Sequence, residues 1–172
     1  MTQLTEHFTL QEFACHDGTP YPAYTIDEED PARRTWLESR LLPLAETLEV
    51  IRGALEGRAL YIDSGYRTLA YDGAIYKRSL AQGGGANDKA PPATSQHPKG
   101  RAADIRTGSL TAAQLRDLIG GLYRAGKLPH LGALGVYPSF VHIDVRARPG
   151  STGGACDGHL AQWGGSRLTN IA

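Results

Sequence analysis

Between positions 141 and 146 the chain alternates strictly: Val141, Ile143 and Val145 share one parity, and His142, Asp144 and Arg146 the other. Successive side chains of a β-strand point to opposite faces, so this segment reads as a strand that buries its aliphatic residues. The histidine, the acid and the arginine then gather on the other side. The Cα atoms of His142 and Asp144 would lie about 6.8 Å apart, close enough for both to address one ion or one bound water. A strand with a plain solvated face carries the same pattern, so the alternation fixes a sheet before it fixes a chemistry.

The remaining periodicities supply what packs on that sheet. Leu37, Leu41, Leu44, Leu48, Ile51 and Leu55 recur at helical spacing and predict a helix with one buried face. Pro43 requires that helix to kink or to restart with the proline in its first turn. Thr9 and Glu12 form the signature of a capped short helix, and Thr111 with Gln114 that of a longer one. The longer helix carries the stripe Leu115, Leu118, Ile119 and Leu122, with Gly126 as its stop. Strands are expected at 59–63, 101–106 and 140–146, and a long loop at 69–94, where periodicity is weak and Gly83-Gly84-Gly85 and Pro91-Pro92 occur. Helices first, then strands with a helix between them, predict an α+β fold with a mainly antiparallel sheet flanked by helices.

The chain has 172 residues, which fits one domain over 1–172. Lys plus Arg and Asp plus Glu are 18 each, so the bulk positive field that a nucleic-acid backbone demands is missing, and nucleic acid is not an expected partner. No apolar run is long enough to span a bilayer. The first residues show no basic stretch followed by an apolar one, so a standard secretory signal is not expected. The triple glycine follows no strand and lacks the spacing of a phosphate-binding loop. Cys15 and Cys156 are read as reduced thiols, with a bridge between them, or a metal cluster shared with His16 and His159, as alternatives.

The second chemical element is His97, followed after a Pro-Lys-Gly turn by Asp104. A reversal at Gly100 returns the carboxylate beside the imidazole. With His142 this makes two nitrogens and one oxygen, and three protein ligands with an open position suit a metal that activates water. Structural histidines are the other reading.

At these residues the chain resembles a known family. Ser95-x-His97-x-x-Gly100-x-Ala102-x-Asp104, with Ser64-Gly65-Tyr66-Arg67 before it and Val141-His142-Ile143-Asp144 after it, is similar to the zinc D-alanyl-D-alanine carboxypeptidases. That family takes in D,D-dipeptidases, murein endopeptidases and phage endolysins. The resemblance implies a LAS, hedgehog-like zinc peptidase architecture and Zn2+ on His97, Asp104 and His142. It also implies a peptidoglycan stem peptide as substrate, with Arg67 stabilising the oxyanion. Ser95 and Tyr66 are expected to contact substrate, Ser95 alternatively steadying the ligand loop. A structural salt bridge is the other reading of Arg67.

Family branches carry a glutamate as general base at the position of Ser139, or a histidine at that of Phe140, and neither residue here can take a proton. Asp144 is the remaining candidate on the strand, or it orients His142 instead. A catalytically silent wall-binding module and a peptidase of unrelated peptides are the competing readings. The expected setting is the bacterial cell wall or periplasm, reached as a phage lysin or tail component or as a trimmed secreted enzyme, and the expected state is a monomer.

Overall fold

The computed structural model describes residues 1–30, 32, 34–82, 93–147 and 160–163. Among these the fold is α+β, with one five-stranded mixed sheet and three α-helices. The helices are α1 (Leu42–Gly53), α2 (Leu69–Ala81) and α3 (Ala112–Arg124). The strands are β1 (Leu60–Ser64), β2 (Ala102–Thr107), β3 (Ala133–Val136), β4 (Val141–Asp144) and β5 (Ala161–Trp163), in the order β1-β2-β4-β3-β5. All neighbours are antiparallel except β3 and β5, which run parallel.

Pro43 resolves as a restart. A π-helical turn at Leu37–Leu41 leads into α1, which carries the proline at its start, where a missing backbone N–H costs nothing. Leu44, Leu48 and Ile51 of α1 and Leu115 and Ile119 of α3 join Ala103, Ile105, Leu134, Val141 and Ile143 of the sheet in one buried cluster. Each fully buried leucine or isoleucine there contributes about 1.5–3 kcal/mol. Thr111 caps α3 through the expected box with Gln114, and Thr9 with Glu12 caps a short 3-10 turn at Leu10–Phe13.

The expected loop at 69–94 is overturned in its first half, which is α2. Thr68 caps it by accepting from the Tyr71 N–H at 3.2 Å and donates its own hydroxyl to Asp17 at 2.8 Å. The glycine run, Cys156 and His159 fall outside the described residues, and with them the readings that involve them. Cys15 is buried.

The register positions the site. Ser64 pairs with Asp104, Asp104 with His142, His142 with Gly135, and Gly135 with Trp163, so one row crosses all five strands. Core residues alternate with this row along β2 and β4, which turns Asp104 and His142 to the face away from the core.

Candidate metal centre

Asp104 and His142 meet because they are directly paired across β2 and β4, and His97 arrives from the turn that precedes β2. That turn is clamped from the N-terminal third of the chain. Arg40 donates to the Lys99 carbonyl at 2.6 Å, and the Tyr21 hydroxyl to the Gly100 carbonyl at 2.5 Å. Arg40 is itself held by a buried ion pair with Asp27, donating through Nε at 2.6 Å, and lies 4.1 Å over the Trp36 ring. Gly100 adopts φ +67, which is open to glycine at little cost.

The three candidate ligand atoms form a nearly equilateral triangle. His97 Nε2 and Asp104 Oδ1 are 3.2 Å apart, His142 Nδ1 and Asp104 Oδ1 3.0 Å, and the two ring nitrogens 3.2 Å. Bonds of 2.0–2.1 Å to a tetrahedral ion would set such edges at about 3.3 Å. All three residues are buried.

Outer hydrogen bonds decide the tautomers. His97 Nδ1 donates to the Gly65 carbonyl at 2.7 Å, which leaves Nε2 with a bare lone pair when the ring is neutral. His142 Nε2 faces the Asp144 carboxylate at 3.1 Å and donates to it, so Nδ1 is the bare nitrogen when the ring is neutral. With both rings neutral, two lone pairs and a carboxylate oxygen converge with no hydrogen between them, an arrangement that suits a cation. Two imidazoles with one carboxylate favour a zinc-type ion over magnesium or calcium. The residues fit a metal.

The electrostatics agree. Burial lowers the His97 pKa by more than Asp104 raises it, keeping that ring neutral. Burial opposes charge on His142 too, but the carboxylates of Asp104 and Asp144 on either side raise its pKa, so a metal displaces a proton there. Burial would raise the Asp104 carboxyl, yet the two imidazoles hold it well below the usual range.

The structure bears on the expected roles of Asp144, Arg67 and Tyr66. Asp144 is fully buried, behind the His142 ring rather than in the cleft, and Arg146 binds its two oxygens at 2.5–3.0 Å. Against the upward push of burial, His142 and Arg146 bring its pKa down to about 2. It is placed to orient the His142 ring and does not line the cleft, where a base would act. Arg67 lines the cleft but is buried, donating to Ser64 Oγ at 2.9 Å, to Asp72 at 3.2 Å and to Asp104 Oδ2. Its guanidinium holds the Asp104 carboxylate, so positioning comes before any oxyanion role. Tyr66 packs edge-on against Tyr21 and Trp36 at 5.8 and 6.3 Å and is not among the cleft-lining residues. Ser95 does line the cleft, beside His97.

The cleft holds about 290 Å³. Its floor is His97, Asp104 and His142; Asp72, Ile75 and Tyr76 of α2 form one wall and Tyr137, Phe140 and Trp163 the other. Gly135 makes room for Trp163, since a Cβ there would stand 2.4 Å from the indole. The indole lies 5.1 Å from the His142 ring and donates to the Tyr137 hydroxyl at 3.0 Å. Gly65 serves the same purpose on the other side, letting the Phe13 backbone approach. The sequence reads as loop where α2 forms its wall and gives Trp163 on β5 no role in the site; a Thr68 cap signal is present, but no apolar stripe accompanies it.

No family model matches the chain, and no curated protein matches it.

Asp144→Asn is expected to weaken metal binding about 10–100-fold while leaving the fold intact, because the amide can present the wrong group to His142. Competition with a chromophoric chelator measures this, and an unchanged affinity would remove Asp144 from ligand orientation.

Proposed function

We propose that this chain is a zinc peptidase of the D-alanyl-D-alanine carboxypeptidase type, cleaving peptidoglycan stem peptides, with the LAS-type architecture that reading entails. The observation that carries it is the buried triangle of His97 Nε2, Asp104 Oδ1 and His142 Nδ1 on the floor of an open cleft, with both tautomers set from outside. The motif residues support it by what they touch. Ser64 and Arg67 brace Asp104, Gly65 fixes the His97 tautomer, and Gly100 makes the turn that joins the two ligands.

Bound zinc would polarise a scissile carbonyl and lower the pKa of water toward about 7. His97, Asp104 and His142 would hold it, with Asp144 and Arg146 keeping His142 in its ligating tautomer. Arg67 keeps Asp104 in place, and the Trp163 indole packs beside the His142 ring. The cell wall as site of action belongs to the same proposal.

The withdrawal of Asp144 from the cleft favours a second reading, a module that keeps the metal and does no chemistry. Purified chain incubated with muropeptides, with zinc or with chelator, separates the two. The peptidase releases D-alanine or opens cross-links with zinc only, as read by mass spectrometry. Intact muropeptides with zinc bound would support the silent module.

A further inference from the structure

Hydrolysing an amide requires a group that takes a proton from water as its oxygen attacks and gives one to the departing nitrogen. The strand motif offers none in the cleft: Ser139 and Phe140 have no basic group, and Asp144 is buried and does not line it. Among the described residues lining the cleft, the carboxylates are Asp104 and Asp72. Asp104 is spent, with Oδ1 in the ligand triangle and Oδ2 on Arg67.

Asp72 is built for the task by its surroundings. It sits in the first turn of α2, fixed by the Thr68 cap, and is 4% exposed although it lines the cleft. Its Oδ1 accepts from Arg67 NH1 at 3.2 Å, no donor to Oδ2 occurs among the described residues, and the residue lines the cleft. The same guanidinium reaches Asp104 through NH2, and Ser64 Oγ locks its Nε, so Asp72 stands one guanidinium away from a metal-ligand carboxylate. Buried pairing of this kind fixes position, which a proton carrier needs before anything else.

We propose that Asp72 is the general base and acid of this site, with Arg67 as its positioning residue. This rests on the peptidase reading. Asp72 Oδ2 takes a proton from water as the new carbon–oxygen bond forms. It returns that proton to the amine nitrogen as the carbon–nitrogen bond breaks. The products are one carboxylic acid and one amine; the carboxylate is regenerated and no electrons change hands.

The test uses the full chain with saturating zinc and muropeptides, comparing wild type with Asp72→Asn and Asp72→Ala. Asp72→Asn should lower kcat about 10²–10⁴-fold, and formate should restore part of the turnover of Asp72→Ala. Zinc affinity, read by chelator competition, should fall far less than turnover does, since Asp72 touches no ligand directly and reaches Asp104 only through Arg67. Full turnover of Asp72→Asn, or a loss that merely follows lost zinc and is not rescued by formate, would overturn the proposal alone. A zinc-loaded wild type that cleaves nothing would overturn the peptidase reading and this proposal with it.

Discussion

Gly100→Ala is expected to destabilise the protein by about 2–5 kcal/mol, through two separate costs. A non-glycine residue in the left-handed region costs about 1–2 kcal/mol. Forcing extra volume into a packed site adds about 1–3 kcal/mol. Both apply here, because φ is +67 and a Cβ would stand 2.7 Å from Trp36 Cε3 and from the Tyr21 hydroxyl oxygen. The neighbours cannot simply step aside. Tyr21 is tied to the Gly100 carbonyl, and Trp36 lies under Arg40, which holds the Lys99 carbonyl. Because the same turn carries His97 toward Asp104, metal affinity should fall with stability. Urea unfolding of the metal-free protein measures the first effect and chelator competition the second; a variant with wild-type values for both would show that the clamp does not set the site.

Asp104→Ala should produce the larger loss at the metal. It removes one of three protein donors, so affinity should drop by more than the roughly 100-fold that an orienting partner alone can command. It also strips Arg67 of one of its two buried acids. Breaking a buried pair costs about 3–5 kcal/mol, and the effect here should fall near the lower end because Asp72 still holds the guanidinium. Calorimetric titration with zinc and thermal unfolding of the metal-free variant read the two terms. Tight zinc binding by Asp104→Ala would mean that the triangle is not the metal site.

The parts of the site that alternation and turn chemistry determine were legible in the sequence. The period-two pattern at 141–146 places His142 and Asp144 on the face opposite Val141 and Ile143, and β4 keeps that division. The turn at Gly100 brings His97 to Asp104 as its residues predict. What alternation cannot convey is which side of an imidazole a neighbour occupies. Asp144 shares a face with His142 but sits in a row of alanines, paired with Ala102 and Ala133, and so sinks behind the ring instead of opening on the cleft.

Helix α2 escaped for a different reason. A stripe of apolar residues reveals a helix that packs on a core, whereas α2 packs on a cleft and buries Asp72. Its helicity rests on the Thr68 cap and on alanine, leucine, lysine and arginine, which favour helix without marking a face. β3 and β5 were hidden by close approach. Gly132 and Gly135 look like turn residues, yet they admit the Arg146 backbone and the Trp163 indole against the sheet. Asp72 and Trp163 were both missed for this reason: each belongs to an element whose signal lies in what it covers.

On the proposed reading, two bare imidazole nitrogens and one carboxylate oxygen are held together to receive a divalent ion. Equilibrium dialysis of the chain against zinc, followed by elemental analysis, tests it directly. One zinc per chain that is lost in Asp104→Ala is the predicted result. A wild-type chain that leaves dialysis without zinc, or carries as much after Asp104 is replaced, would contradict it.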